Sequence, residues 1–245
     1  MITLVSFVFR PGKRKLILWA LKFYGRSGLE IGGPSAFFNL KGHFPIYIFA
    51  EKLDGVNFST ETFWEGKIKE GPNYKFHSKR GYQYICEATH LNKIPDKKYD
   101  FILSCHSLEH SANPLKVVEE CKRVLKKGGY FILVLPDKEN TFDRKRPFTT
   151  MSHLLKDYHC NTGEEDETHF EEVRRLFDFS MVDKSMEMSV WLDQMPNNIN
   201  HRLLHHHVFN FELITEIFKF FSFEVIIQKS IKPFHLVTIA RCLEK

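Results

Sequence analysis

Residues 99–135 read YDFILSCHSLEHSANPLKVVEECKRVLKKGGYFILVL, and this stretch decides the fold. It begins with the apolar run 99–105 and ends with the apolar run 130–135, each of the length of a buried strand. Between them, apolar residues at helical spacing predict a helix over 114–125, which the sequence KKGG at 126–129 ends. Two strands joined by a helix through short turns predict a parallel α/β sheet.

The same alternation continues on both sides of this stretch. Apolar, β-rich segments predict strands at 28–31, 45–49 and 82–86 before it, and at 224–228 and 234–240 after it. The last two strands are separated by only a few residues, which favours an antiparallel hairpin at the sheet edge. The sequence therefore predicts seven strands, mostly parallel, with an antiparallel last strand.

The domain organisation follows from where the alternation of strands and helices stops. The chain has 245 residues, 43% hydrophobic and 27% charged, which suffices for one sizeable core and excludes wholesale disorder. Residues 137–207 are polar, charged and rich in His, and they are much longer than an ordinary connection. We predict a single domain over 1–245, with 137–207 as a helical insertion after strand five that forms a substrate lid. Residues 13–26 are predicted as an N-terminal flanking helix, with attachment to a membrane surface as the alternative.

Charge and cysteine content limit the function classes. The net charge of +5 permits acidic partners without requiring nucleic acid. Five widely spaced cysteines without a CxxC disfavour a disulfide framework or a Cys-rich zinc site, and favour a reducing, cytoplasmic location. No uninterrupted apolar run approaches the roughly 18 residues that a membrane-spanning helix needs, so none is expected.

The strongest local signal for a ligand is LEIGGPS at 29–35. A predicted strand ends in the acidic Glu30 and is followed by the glycine turn Gly32-Gly33, and glycine lets a backbone turn sharply and approach a ligand closely. The dinucleotide-binding pattern GxGxxG is absent, because Pro34 follows the two glycines. A carboxylate at this place would repel a pyrophosphate and suit a ligand that carries an ammonium or sulfonium group.

On these residues the chain resembles the class I S-adenosylmethionine-dependent methyltransferases, in the type 11-like branch that acts on small molecules and glycans. The resemblance rests on motifs in the family's order: the glycine turn at 30–33, EATHL at 87–91, the YDFILS strand with SLEH at 107–110, and the KKGG junction. It covers roughly residues 25–140 and 205–242. It implies a Rossmann-like, doubly wound sheet and S-adenosylmethionine as the cofactor.

The resemblance also implies a set of cofactor-binding residues beyond the carboxyl ends of the strands. An acidic residue just past strand two would hold the ribose hydroxyls, with Asp54 as the first choice and Glu51 as the second. The residues Glu87 and Ala88 look like the family's adenine-contacting turn. The full predicted set is Glu30, Gly32, Gly33, Asp54, Glu87, Ala88, Ser104 and His106.

Candidate catalytic residues follow from the chemistry of methyl transfer. The reaction is an in-line displacement, so the protein supplies positioning, desolvation and, for a hydroxyl acceptor, a base. Histidine suits that role because its pKa lies near neutrality. His110, just past strand four, is the first candidate, and a helix-capping role is its alternative. His169 and His207 in the insertion are the other two.

The insertion raises the question of a metal, because it mixes His with carboxylates. Such donors could bind a divalent cation, or they could form a solvated acidic face. No tight ligand spacing appears, so the sequence assigns no metal ligand. Asp143 and Arg144 follow strand five and are candidate substrate contacts, and Arg144 and Arg146 would suit an acidic or phosphorylated substrate.

The leading hypothesis is methyl transfer from S-adenosylmethionine to a small-molecule or glycan acceptor, with a hydroxyl as the acceptor group. An RNA or protein methyltransferase is the second; the basic N-terminal stretch favours RNA, whereas the acidic insertion and the lack of an aromatic and basic platform disfavour it. A non-catalytic binding module with this fold is the third, because the glycine turn departs from the family pattern. A nicotinamide oxidoreductase ranks last, since GxGxxG is missing.

Overall fold

The computed structural model describes residues 11–182 and 195–243. The strands are β1 (Ser27–Ile31), β2 (Lys52–Asn57), β3 (Glu61–Thr62), β4 (Gly66–Lys67), β5 (Gly71–Phe76), β6 (Lys79–Ile85), β7 (Tyr99–Cys105), β8 (Leu125–Pro136), β9 (Phe223–Ile231) and β10 (His235–Cys242). The helices are α1 (Pro11–Leu21), α2 (Ile46–Phe49), α3 (Pro114–Val124), α4 (Met151–Cys160), α5 (Phe170–Leu176), α6 (Asn198–His201) and α7 (Phe211–Phe220).

Within the described residues, eight strands form one sheet in the order β5-β6-β2-β1-β7-β8-β10-β9. Neighbours from β6 to β8 are parallel, whereas β10 is antiparallel to both β8 and β9. The mostly parallel sheet with an antiparallel last strand is thereby confirmed. The edge strand β5, antiparallel to β6, was not predicted from the sequence. The short strands β3 and β4 form a separate hairpin between β2 and β5.

Helices cover both faces of the sheet. On one face, α3 and α7 pack on the strands through residues such as Val118 and Ile214. Helix α3 begins where the sequence provides a cap and a proline: Asn113 Oδ1 accepts from the Lys116 amide at 3.1 Å, and Pro114 occupies the first turn. On the other face lies an aromatic-rich layer that includes residues of α1, α2 and the segment between them. Leu16 in α1 is completely buried in that layer, as packing on a domain flank requires.

The prediction of strand two at 45–49 was wrong. Those residues contain the one-turn helix α2, and the strand is β2, which begins at Lys52. An apolar run as short as IYIF fits a strand and a buried helix equally well. The true strand contains Gly55, and its smallness is required because a Cβ there would lie 2.1 Å from Cδ2 of Tyr74 on β5.

The segment between β8 and α7 is helical, as expected of the insertion, and contains α4, α5 and α6. It has a small core of its own around Val173 and Phe177. It joins the sheet domain through α4, where Tyr158 Oη donates to Glu119 Oε1 on α3 at 2.7 Å. Residues 183–194 of the predicted insertion, and 1–10 and 244–245 of the predicted domain, lie outside the described residues. Among the helices of the described ranges, none has the length and apolar character needed to cross a membrane.

Candidate active site

A pocket of about 390 Å³ opens at the carboxyl ends of β1, β2, β6 and β7. In open α/β sheets this edge is where ligands bind, at the point where the strand order reverses. Loops after these strands, the β3–β4 hairpin and the insertion all contribute to the lining. The lining residues are Ile31, Gly32, Pro34, Ser35, Val56, Asn57, Phe58, Trp64, Glu65, Cys86, Glu87, Ala88, Thr89, Cys105, His106, Ser107, His110, Ser111, Glu164 and Arg202.

The glycine turn is held by close contacts on both sides. Gly32 has a φ of +73°, and a Cβ on it would lie 2.8 Å from Ser107 Oγ, so a side chain would be strained and crowded. Gly33 passes directly over a buried carboxylate, because its Cβ would lie 2.3 Å from Cδ of Glu30. Asn57 Nδ2 donates to the carbonyl of Gly33 at 3.1 Å. Asn57, at the end of β2, therefore fixes the position of the turn.

Glu30 supports the turn from inside and does not line the pocket. Its carboxylate accepts from Tyr47 Oη at 2.5 Å, from Tyr74 Oη at 2.7 Å and from the Ser35 amide at 3.0 Å. Burial raises the pKa of Glu30 to about 7, although these hydrogen bonds act in the opposite direction. Glu30 was expected to face the cofactor, but the structure buries its carboxylate beneath the loop that lines the pocket.

The predicted ribose residues do not lie at the pocket. Asp54 is inside β2, and its carboxylate accepts from the Tyr82 amide at 2.9 Å, Tyr99 Oη at 2.7 Å and Lys98 Nζ at 3.1 Å. It links β2 to the neighbouring β6 and to the start of β7. Glu51 is exposed and precedes β2. Both predictions depended on placing strand two too early, and the residue that ends the strand is the amide Asn57.

Glu87 and Ala88, which were predicted to contact the cofactor, line the pocket. Glu87 Oε1 accepts from Arg202 Nη2 at 2.7 Å, and Arg202 Nη1 also pairs with Glu164. The lining therefore carries three carboxylates, including Glu65, against one guanidinium. This excess of negative charge suits a cationic ligand. Sequence analysis did not single out Arg202, which precedes the HHH run, because nothing local marks its contact with Glu87.

The end of β7 contributes His106, as predicted, but not Ser104. Ser104 is buried within the sheet, where it pairs with Ile31 and Leu133, and it does not line the pocket. His106 follows the strand in a left-handed conformation, and its Nε2 lies 2.9 Å from Nδ1 of His235. Burial, followed by the neighbouring His235, lowers the pKa of His106 to about 3, so its ring is neutral at physiological pH.

His110 is the predicted catalytic histidine that does line the pocket. Its Nδ1 lies 3.1 Å from the carbonyl oxygen of Leu204. A carbonyl can only accept, so the proton is assigned to Nδ1 and the lone pair to Nε2. Burial holds the pKa of His110 well below its usual range, which keeps the ring neutral. Trp64 of the β3–β4 hairpin stacks beside it, with ring centroids 6.4 Å apart.

Beneath the pocket, Glu109 is completely buried, and burial raises its pKa to about 7. Donor atoms of Glu109, His110 and His205 lie within 4.8 Å of one another. Two of these groups are already engaged: His205 Nδ1 lies 2.5 Å from Asp143 Oδ2, and His110 Nδ1 meets the Leu204 carbonyl. This group offers three donors, one fewer than the four protein ligands of a structural zinc site.

The other two predicted catalytic histidines do not line the pocket, which corrects that expectation. His169 and His207 lie in the insertion side by side with His153 and Asp157, away from the cofactor edge. Successive residues of the HHH run point to different neighbours, so that His205 contacts His110 while His207 contacts the insertion. Burial, with the nearby His153, lowers the pKa of His169 to about 4.

Three further sequence candidates, Asp143, Arg144 and Arg146, make contacts within the protein. Arg146 is 1% exposed, and its Nη1 donates to Asp143 Oδ1 and to the His205 carbonyl, each at 2.8 Å. Its Nη2 donates to the His206 carbonyl at 3.0 Å. Arg144 pairs with the buried Asp178 at 2.6 Å. The buried Asp143 and Arg146 are thus not available to a substrate, and they fix the backbone of the HHH run.

Comparison with known proteins agrees with this architecture. Residues 51–133 match the family model of the methyltransferase domain, a range that includes β2, the Glu87-Ala88 turn, β7 and most of β8. Over 118 residues the chain is 34% identical to the sterol 4-C-methyltransferase strm-1 of Caenorhabditis elegans, covering 46% of this chain and 33% of that protein. The chain thus spans only about a third of the length of the curated relatives that it matches, 32% and 33%.

Solved structures share the fold across nearly the whole chain. A putative S-adenosylmethionine-dependent methyltransferase from Listeria monocytogenes superposes with a TM-score of 0.54 at 14% identity, covering 96% of this chain and 98% of that one. The 1,6-didemethyltoxoflavin-N1-methyltransferase of Burkholderia thailandensis, solved with its namesake ligand and S-adenosylhomocysteine, has a TM-score of 0.51 at 12% identity, covering 96% and 78%. The fold is that of the Rossmann-like methyltransferases. Residues 51–133 thus match a methyltransferase domain, and the whole described chain has the fold of S-adenosylmethionine-dependent methyltransferases.

Proposed function

We propose that this protein transfers a methyl group from S-adenosylmethionine to a hydroxyl of a small-molecule or glycan acceptor. The observation that carries the proposal is the pocket itself, which joins the glycine turn, the Glu87-Ala88 turn and a neutral histidine at one edge of a methyltransferase sheet. The family match and the bound S-adenosylhomocysteine of the Burkholderia enzyme support the choice of cofactor.

The residues present fit this cofactor. Gly32 and Ser35 line one side of the pocket, where the close backbone suits the amino-acid part, and Cys86–Thr89 with Phe58 line the other, where an adenine ring would pack. The excess of lining carboxylates over Arg202 suits a cofactor whose ammonium and sulfonium outweigh its carboxylate. When bound, S-adenosylmethionine supplies an electrophilic methyl group on a positively charged sulfur.

His110 would be the base for a hydroxyl acceptor. The hydroxyl proton would pass to Nε2 of His110 as the oxygen takes up the methyl group and the methyl–sulfur bond breaks, and Nδ1–H would remain anchored on the Leu204 carbonyl. Burial keeps the pKa of His110 low, so the ring is neutral and its Nε2 lone pair is unprotonated over the physiological pH range. The imidazolium then returns the proton to water when the product leaves.

The cofactor half of the proposal is tested by calorimetric titration with S-adenosylmethionine and S-adenosylhomocysteine. We expect micromolar dissociation constants, about −8 kcal/mol. Gly32→Ala should weaken both by at least about tenfold, because a side chain at φ +73° is strained and meets Ser107. Gly128→Ala is the matched control: its φ is +72°, nothing lies within 4 Å of the added Cβ, and it is absent from the pocket lining.

The acceptor half is tested by transfer of a labelled methyl group to a panel of monosaccharides, nucleotide sugars, phenols and sterols, with RNA and protein alongside. The sterol arm is included because a relative carries that name. Transfer to sugars or other small hydroxyl compounds supports the proposal. Transfer to RNA or protein alone contradicts it. Failure of the folded protein to bind either form of the cofactor would favour a non-catalytic binding module.

A further inference from the structure

Four side chains of the insertion form a second cluster, separate from the pocket, which we call the His–Asp cluster: His153, Asp157, His169 and His207. Each offers one ligand atom, and these atoms all lie within 4.8 Å of one another. His153 and Asp157 stand one turn apart on α4, which puts them on one face of the helix. His169 precedes α5, and His207 lies on the segment that returns to the sheet before α7.

The distances within the cluster are those of a metal coordination shell. In a tetrahedral zinc site with metal–nitrogen bonds near 2.05 Å, neighbouring ligand atoms are about 3.3 Å apart. His153 Nε2 and His169 Nε2 are 3.2 Å apart, and His153 Nε2 and Asp157 Oδ2 are also 3.2 Å apart. His207 Nε2 lies 3.9 Å from the same carboxylate oxygen. The four donors thus form one compact group, with two of the printed spacings close to the tetrahedral value.

The protein satisfies these donors only in part: the Nε2 atoms of His153 and His169 meet at 3.2 Å, whereas other polar atoms of the cluster lack a partner. Asp157 Oδ2 and His207 Nδ1 are buried and have no hydrogen-bond partner among the residues that the structure describes. The side chain of His207 is completely buried. Unpartnered buried polar atoms are costly, so an unpartnered carboxylate oxygen and an unpartnered imidazole nitrogen within one cluster point to a missing ligand. One outer contact fits as well: Thr162 Oγ1 donates to Asp157 Oδ1 at 3.4 Å, which leaves Oδ2 for a metal ion.

We propose that the His–Asp cluster binds one zinc ion that fastens the insertion to the sheet domain. Three imidazoles and one carboxylate form a donor set that a borderline transition metal prefers, whereas Mg²⁺ and Ca²⁺ prefer oxygen ligands. Four protein ligands close the coordination shell, which is characteristic of a structural zinc site. A cleft of about 280 Å³ lined by His153, Asp157 and His169 reaches the cluster and gives the ion a way in.

The location explains what the ion would do. It would join α4, the residue before α5 and the segment after α6, which approach one another only in the folded insertion. The loop between α4 and α5 also carries Glu164, whose carboxylate accepts from the Ser111 hydroxyl at 3.0 Å and faces the pocket. None of the four cluster residues lines the pocket. The zinc therefore acts on the shape of the insertion and not on the transferred methyl group.

The test is a metal titration of the full chain, purified without a histidine tag and stripped with a chelator. We expect one equivalent of Zn²⁺ to bind with a submicromolar dissociation constant, Mg²⁺ and Ca²⁺ not to compete, and Co²⁺ to give the visible absorption of a tetrahedral site. His169→Ala and Asp157→Asn should each weaken Zn²⁺ binding by about 100-fold or more, beyond the effect of losing an outer contact. His159→Ala is the matched control, because His159 is exposed at the end of the same helix.

A second arrangement nearby makes the test specific. Asp166, His169 and His206 also bring three donors within 4.8 Å, but Asp166 Oδ2 lies 4.0 Å from His206 Nδ1. If zinc binds to the His–Asp cluster, the Asp166→Asn variant should bind zinc as the wild type does. Loss of zinc binding in that variant would place the ion at Asp166, His169 and His206 and overturn the proposal. So would a stripped wild-type protein that stays folded, by circular dichroism, and takes up no zinc. Zinc uptake by the chelator-stripped wild type tests the proposal even if a ligand variant fails to fold.

Discussion

The protein contains histidines in two regions, and the two regions hold them in different ways. At the pocket, the rings of His106 and His110 each have a nearby acceptor or ring nitrogen of the protein, His235 for the first and the Leu204 carbonyl for the second. In the His–Asp cluster, ring nitrogens and a carboxylate converge on one another, with buried donor atoms unpartnered. The first arrangement orients a ring toward a ligand pocket. The second leaves a gap for a cation.

This difference assigns separate roles to histidines that look alike in the sequence. In the run His205-His206-His207, the first ring contacts His110 and the last contacts His153 and His169. The run therefore connects the two regions, and its backbone is held by Arg146. Changes that affect one region alone should leave the other intact, whereas changes at Arg146 should affect both.

The largest expected effect is on turnover. His110→Ala should lower kcat toward a hydroxyl acceptor by roughly 100- to 10,000-fold, because a positioned base contributes about that much. The dissociation constant for S-adenosylmethionine should change by less than about twofold (~0.4 kcal/mol), and the zinc content should not change. Initial rates with the labelled cofactor and calorimetry measure the two quantities. An unchanged kcat would show that the acceptor needs no base at this position.

Removal of zinc should affect stability and spare cofactor binding. With free zinc at 1,000 times its dissociation constant, bound metal adds about 4 kcal/mol to the free energy of unfolding. Chelation should therefore lower the melting temperature by roughly 8–16 °C for a chain of this size. Differential scanning calorimetry with and without chelator measures the shift, with His159→Ala responding as the wild type. Equal melting temperatures in the two conditions would contradict a structural metal.

Arg146→Met should damage both regions at once. The substitution leaves Asp143 buried without its guanidinium partner and releases the carbonyls of His205 and His206. Breaking a buried ion pair in this way costs about 3–5 kcal/mol of unfolding free energy. Urea denaturation measures the loss, and zinc affinity and kcat should both fall. Arg175→Met, at an exposed position on α5, is the control. Loss of only one function would show that the HHH run is not shared.

The sequence predicted the pocket region better than the cluster, for a physical reason. Strand ends of a parallel sheet meet at one edge, so a correct strand order brings Gly32, Glu87, His106 and His110 together without further knowledge. The donors of the His–Asp cluster are joined only by the packing of α4 and α5 on the returning segment. Their sequence spacing is loose, apart from the one helical turn between His153 and Asp157, and no metal was assigned from it.

The wrong predictions of pocket residues each have an identifiable structural cause. Asp54 was chosen because the apolar run at 45–49 was interpreted as strand two. The true strand contains Gly55, which breaks its apolar pattern. The ring of Tyr74, on the unpredicted edge strand β5, packs against Gly55. Glu30 was expected to meet the cofactor because its place in the chain matches the family. Two phenols, from α2 and β5, instead bury it beneath the turn. Such contacts between distant segments are not visible in local sequence patterns.

Glu30 makes the stability of the pocket region depend on pH. Its pKa is 4.5 in an ordinary environment and about 7 in the folded protein, so its contribution to stability is fully present below pH 4.5 and lost as the pH rises through 7. The shift corresponds to about 3 kcal/mol. Urea denaturation between pH 4.5 and 8 should therefore show a decline in the wild type that is smaller by about this amount in Glu30→Gln. Parallel profiles for the two proteins would contradict the raised pKa.

The smallest expected effect concerns the charge of the pocket, and it separates two forms of the cofactor. S-adenosylmethionine carries a sulfonium charge that S-adenosylhomocysteine lacks, so the ratio of their affinities reports the local potential. Arg202→Met removes the lone guanidinium of the lining and should shift this ratio toward S-adenosylmethionine by about fivefold, or ~1 kcal/mol. Glu87→Gln should shift it the other way by a similar factor, since it removes one of Arg202's two carboxylate partners.

Calorimetry at two salt concentrations measures both ratios, and the shifts should shrink at the higher one. Shifts of the same sign in both variants would mean that Arg202 and Glu87 act by holding the insertion in place and not through their charges.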